Sequence, residues 1–347
     1  MYIFNLIFSI FLSYIGDKYK CKKITLFFIL VLWSFIIGFQ YNVGADYFSY
    51  LKAFENKDLA LRYLNLKEYI FYYFIYFYQK IFLNGQYAFF IIAMLQNYLF
   101  YKILKLSKVK KYSIFIILFL CICTIFHNQM NGIRQYFTIY IFTLATIYIL
   151  IDCYFKLSFI FLIGIGIHKS LILLFPFLLS FKFIKKLNKK KILLLFILML
   201  IFIFIPFKNI IFKLLEYTPY KNYIYYKNTE IFNDLEIKYI LSKLIYFPIY
   251  ILSINNKKNF KLNSFKEKIY AIGLISYVLK IMLLKNMILA RIGDYFTILS
   301  LFPIYYYLEN LYNRKQLKKL FIIISYILSI YIFKILTFYK YNSYFFK

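Results

Sequence analysis

The 347-residue sequence predicts an all-α integral membrane protein, and three observations carry that prediction. First, 63% of its residues are hydrophobic and 24% aromatic, with a mean hydropathy of +0.69; a soluble domain is nearer half apolar. Second, charged residues make up only 16%, too few to cover the surface of a soluble chain of this length. Third, the apolar stretches are continuous, as at 192–207, instead of alternating as barrel strands do. A helix of roughly 20 residues crosses the hydrocarbon core, and helices satisfy their own backbone groups in lipid.

The net charge of +31 raises nucleic acid or anionic lipid as a partner. The lysines, however, sit in short blocks at 18–23, 102–111, 182–191, 257–268 and 314–319, between apolar runs. That is the placement of cytoplasmic loops under the positive-inside rule, and it argues against nucleic-acid binding.

The predicted spans are 1–15, 24–39, 86–104, 112–126, 132–151, 154–167, 170–183, 192–211, 238–254, 269–284, 292–309 and 319–338, a polytopic bundle of about twelve transmembrane helices. The first apolar run begins at Met1 with no basic region before it, so it reads as a membrane helix with its N-terminus outside, not as a cleavable signal. With the lysine blocks inside, the stretches 40–67, 127–131, 168–170 and 285–291 fall on the outer face, together with a Tyr-rich loop at 212–237. Segment 68–83 is apolar enough to cross, but crossing would put the 102–111 lysines outside. It is therefore read as a re-entrant or interfacial helix in the outer leaflet. No repeat or linker divides the chain, so 1–347 is expected to be a single polytopic domain.

Few residues carry chemistry. Only four arginines stand against 40 lysines, so each surviving arginine draws interest for its planar fork, which suits phosphate or carboxylate. Arg314 lies in a cytoplasmic block, and Arg62 in the outer loop is open to either reading. Arg134 and Arg291 fall at outer helix ends, where the loop-charge rule disfavours them. Asn131, Arg134 and Gln135 are spaced to share one face at a helix start, where free N–H groups favour an anion or a plain cap. Asp46 follows Gly44, a residue suited to a tight turn, and is a candidate base or arginine partner. Glu68 opens an aromatic helix and either caps it or lines a cavity. His168 ends an apolar run before Lys169 and Ser170, and Asp294 is three residues from Arg291. The cysteines Cys21, Cys121, Cys123 and Cys153 form no metal or redox spacing. No phosphate loop or Ser-His-Asp pattern appears, which argues against ATP or zinc hydrolysis and for a reaction without metal or cofactor.

Taken in order, Gly44-x-Asp46-Tyr47-x-x-Tyr50-x-x-x-Phe54, Glu68 at a helix start, Asn131-x-x-Arg134-Gln135, His168-x-Ser170 and Arg291-x-x-x-Tyr295-Phe296 before Pro303 resemble the EpsG family of Wzy-like polysaccharide polymerases. The resemblance covers about 24–310. Where the family commonly has a proline after the glutamate, this chain has Tyr69.

The resemblance implies a bacterial inner-membrane glycosyltransferase with a fold like that of GT-C-type lipid-sugar enzymes. Such a protein joins oligosaccharide repeat units carried on undecaprenyl pyrophosphate at the periplasmic face, with a chain-length regulator as an expected further partner. It further implies catalytic roles for Asp46, His168, Arg134 and Arg291, the arginines stabilising the diphosphate leaving group. Gly44, Tyr47, Glu68, Asn131, Gln135, Ser170 and Tyr295 would bind substrate, and Tyr220 and Tyr223 would stack on sugars. An O-antigen-type ligase and a lipid-linked oligosaccharide flippase are the alternatives.

Overall fold

The computed structural model describes residues 1–184, 188–204, 237–285, 287–338 and 340–344. It is helical throughout, with one isolated antiparallel bridge, Gln40 to Ser343. The chain forms two compact units, Met1–Phe183 with Leu311–Lys347, and Ile184–Asn310.

In the first unit, α1 (Tyr2–Lys18) and α2 (Lys22–Gly38) form a hairpin. Short helices α3 (Tyr47–Glu55) and α4 (Lys57–Asn65) follow, then α5 (Tyr69–Ile81) and α6 (Gln86–Leu106). Next come α7 (Tyr112–Cys121), the single turn α8 (Ile125–Asn128), α9 (Ile133–Leu150) and α10 (Tyr154–Ile167). A 3₁₀ turn (Lys169–Leu174) leads into α11 (Phe175–Lys182). Among the described residues, three helices are long and apolar enough to cross a membrane: α6, α9 and the later α18 (Leu317–Thr337).

Contacts within this unit separate two ends. At one, the Asp17 carboxylate accepts from the backbone N–H of Tyr112 (3.1 Å) and Ser113 (2.9 Å) and pairs with Lys22 at 3.5 Å. This is the lysine-rich end, and Asp17 satisfies orphan donors at the start of α7. At the other end, the Gln86 side chain donates to the carbonyls of Gly38 (2.6 Å) and Gln40 (2.9 Å), joining the end of α2 to the start of α6. α9 begins near this second end, since Gln40 donates to the Met130 carbonyl at 2.5 Å.

Both ends of α5 belong to the second end as well. Its 13 residues span about 20 Å, short of the hydrocarbon thickness. Gln79, near its finish, donates to the Ala53 carbonyl of α3 at 2.9 Å.

Residues 340–344 pack against the same end. Tyr41 N–H donates to the Asn342 carbonyl and Tyr344 N–H to the Phe39 carbonyl, both at 2.8 Å. Tyr341 Oη donates to the Ile36 carbonyl at 3.0 Å.

The second unit holds α12 (Lys189–Phe204), α13 (Ile237–Leu244), α14 (Phe247–Asn256), α15 (Ser264–Met282), α16 (Met287–Gly293) and most of α17 (Thr297–Asn313). Pro303 lies inside α17 and cannot donate to the Leu299 carbonyl. Gly273 of α15 accepts the close approach there, since a Cβ on it would lie 2.5 Å from Pro303. Ser253 donates to the Pro303 carbonyl at 2.9 Å, and Tyr250 to the Ser300 carbonyl at 2.8 Å.

Several expected spans are broken. Segment 112–126 stops at Cys121 and turns through Thr124, whose φ is 57°. Segment 170–183 is part 3₁₀, and 238–254 divides before Pro248. The stretch 40–67, expected as a loop, holds α3 and α4 because Asn56 caps α4, accepting from the N–H of Asp58 at 2.8 Å. The Tyr-rich loop with Tyr220 and Tyr223, and the end of the 192–211 span, lie outside the described residues. Among the described residues the four cysteines form no disulfide, and Cys121 and Cys123 are buried.

Candidate active site

The first unit gathers Glu68, Arg134 and His168 into one cluster. Glu68 ends the link between α4 and α5, where Lys67 takes a left-handed φ of 60°. That turn directs the glutamate inward, and its side chain is 2% exposed. Glu68 occupies the N-cap position of α5, but its side chain makes no capping hydrogen bond there. One carboxylate oxygen instead pairs with the Arg134 guanidinium at the start of α9. The other accepts from His168 Nδ1 at 2.8 Å and from the Lys169 N–H at 3.3 Å.

His168 is held between the end of α10 and the following 3₁₀ turn in an extended conformation, φ −149° and ψ 106°. Burial pushes the Glu68 carboxyl up, but the His168 hydrogen bond and the Arg134 charge together bring it below its ordinary 4.5. An ionised carboxylate only accepts. The proton of the hydrogen bond therefore sits on His168 Nδ1, which in the neutral ring leaves the lone pair on Nε2.

Arg134 is also packed among aromatic rings. Its Cζ lies 4.7 Å from the Tyr63 centroid and 5.6 Å from those of Tyr50 and Phe71, and its Nε donates to Tyr50 Oη at 3.2 Å. Cation–π contacts of this kind add about 0.5–2 kcal/mol each. They hold a guanidinium that remains 17% exposed, beside a His168 that is 23% exposed.

Gly44, Asp46 and Asn131 form a second group at the same end. Gly44 has φ 90°, and a Cβ there would lie 2.5 Å from the Asn131 side chain. Asn131 Oδ1 accepts from the Asp46 N–H at 2.8 Å. Asn131 stands before the Gly132 cap of α9, so it shares no helix face with Gln135, contrary to the spacing argument. The Asp46 carboxylate, half-buried, takes no hydrogen bond or ion pair among the described residues. Tyr47 is fully buried and donates to Gln86 at 2.6 Å, which makes it a support beneath the turn.

Ser170 and Gln135 lie half-buried one or two positions beyond His168 and Arg134. Arg291 and Tyr295 belong to the second unit. Arg291 is exposed in the last turn of α16, Asp294 opens a separate 3₁₀ turn, and Tyr295 is buried. The arginine and the aspartate thus do not begin one helix, as their spacing suggested. Tyr63 was missed by sequence reading; among 40 tyrosines nothing marks the one beneath Arg134.

The described residues contain no group of three or more His, Cys, Asp or Glu side chains placed to hold a metal ion. A carboxylate–imidazole pair beside an arginine can move a proton and stabilise developing negative charge.

The family model described as the EpsG family matches residues 22–347. No curated protein matches the chain, and no solved structure matches it.

Proposed function

We propose that this chain, which belongs to the EpsG family of Wzy-like polysaccharide polymerases, lengthens a surface polysaccharide by glycosyl transfer between repeat units carried on undecaprenyl pyrophosphate. The observation that carries this reading is the bridging of His168 and Arg134 by Glu68.

In this reading His168 Nε2 takes the proton of the acceptor hydroxyl as its oxygen bonds to the anomeric carbon of the growing chain. The bond from that carbon to the phosphate oxygen breaks, and the lipid diphosphate leaves with the electron pair. Arg134 stabilises the charge that gathers on the departing oxygens. Glu68 holds both groups in register and keeps the imidazole in its Nδ1–H tautomer, so it acts as a positioning residue. Asp46, whose carboxylate has no protein partner among the described residues, orients the acceptor sugar.

The site end is opposite the lysine-rich end of the first unit, which supports a periplasmic active face in a bacterial inner membrane under the loop-charge rule. A topology near twelve spans, with α5 re-entrant, belongs to the same reading.

The test is deletion of the gene, complemented by wild type and by Arg134→Ala, with analysis of surface glycan and lipid-linked intermediates. Single repeat units on the surface or on the outward-facing carrier support the polymerase. Full-length polymer stranded on the carrier means a ligase, units trapped on the cytoplasmic face mean a flippase, and an unchanged glycan overturns the reading.

A further inference from the structure

Arg62 is exposed near the end of α4 and lies outside the roles given above. Its guanidinium donates to Ser49 Oγ at 2.9 Å, to the Ser49 carbonyl at 3.1 Å and to Tyr63 Oη. All three acceptors are neutral, and no carboxylate pairs with Arg62 among the described residues. A guanidinium has more N–H donors than these bonds use, so Arg62 keeps donors for an oxyanion.

The ring of Tyr63 lies under both arginines, with Arg62 Cζ 4.6 Å and Arg134 Cζ 4.7 Å from its centroid. The two guanidinium carbons are therefore at most about 9 Å apart. Their charges are not equivalent. Arg134 is neutralised by Glu68, whereas Arg62 keeps a full charge fixed in place by Ser49 and Tyr63. Lys67 and Lys169 are near in sequence, but their ammonium groups ride on long flexible stems. Arginine is also scarce here, and an exposed position that needed only positive charge would be met by lysine, as it is almost everywhere else in the chain.

We propose that Arg62 is a second anion-binding residue of this site. It takes one phosphate of a lipid-linked diphosphate while Arg134 meets the other, with Tyr63 setting the spacing between them. This rests on the polymerase reading and adds a binding residue to it. The fixed charge of Arg62 draws the headgroup in, and Arg134 acts when the bond breaks.

The test uses the full chain in detergent micelles and isothermal titration with farnesyl diphosphate, with farnesol as the uncharged control. Arg62→Gln is expected to weaken farnesyl diphosphate binding about tenfold. Farnesol binding stays at the wild-type value, which also reports an intact fold. Arg62→Lys recovers less than half of the loss, because an ammonium cannot reproduce the fork. Wild-type affinity for the diphosphate in Arg62→Gln overturns the inference, as does equal weakening of farnesol or a wild-type protein that does not bind the diphosphate. The two readings fail separately. An unchanged glycan on gene deletion removes the polymerase reading. A glycan that requires the gene but is made in full by Arg62→Gln cells, with unaltered diphosphate binding, removes only the role of Arg62.

Discussion

Glu68 and His168 are one hundred residues apart in sequence and joined by a 2.8 Å hydrogen bond. The same carboxylate is the ion-pair partner of Arg134. Removing its charge therefore disturbs two functional groups at once. Glu68→Gln is expected to lower stability by about 2 kcal/mol, since it leaves a largely buried guanidinium unpaired. It should also abolish polymer beyond the first few repeat units. Thermal unfolding in micelles and a glycan ladder read the two effects, and a full ladder would refute the positioning role.

Arg134→Lys keeps the charge but loses the fork shared by Glu68 and Tyr50 and the stacking on Tyr63. Polymer yield is expected to fall by at least tenfold in Arg134→Lys and in Arg134→Ala, at equal protein level. A lysine variant with wild-type chain length would show that charge alone suffices.

The Glu68 carboxyl titrates below its ordinary 4.5. Its contribution to stability is thus fully present above about that pH and is lost as pH falls through the lower folded-state value. Below about pH 5 the difference in melting temperature between wild type and Glu68→Gln should shrink toward zero. A difference that grows as pH falls below about 5 would contradict the ionised carboxylate.

Gly44→Ala meets a backbone at φ 90° and the Asn131 side chain at 2.5 Å. It is expected to cost about 1–3 kcal/mol. Asn131→Ala removes the acceptor for the Asp46 N–H and should cost about 1 kcal/mol. Because the two residues touch, the double variant should be less destabilised than the sum of the single ones. Strict additivity in denaturation curves would exclude the coupling.

The sequence made some of this legible. The spans at 86–104, 132–151 and 319–338 appear as α6, α9 and α18, because long uninterrupted apolar runs leave the helix as the one way to satisfy the backbone. Segment 68–83 was expected from charge placement to hold a helix that does not cross, and it holds the 13-residue α5. Breaks inside apolar runs were not readable. Cys121 to Thr124 carries no proline or glycine, and the turn there passes through a left-handed Thr124 that no local sequence signal marks. The candidate residues Glu68, Arg134 and His168 could each be named from sequence, but their union could not. It depends on α5, α9 and α10 meeting at one end, a long-range arrangement with no local signature. Asn131 was assigned to a helix face because the spacing fits, while Gly132 starts the helix one residue too late for it.

The pairing of residues 340–344 with the segment before Gly44 has a consequence for how the protein is made. Tyr341 and Ile36 are 305 residues apart. At about 5–20 residues per second, a ribosome needs roughly 15–60 s between them. During that interval the segment leading to Asp46 lacks its hydrogen-bonding edge, although α1 and α2 are already in place. A nascent chain halted before residue 340 therefore carries every candidate catalytic side chain without the backbone hydrogen bonds that residues 342 and 344 make to Tyr41 and Phe39.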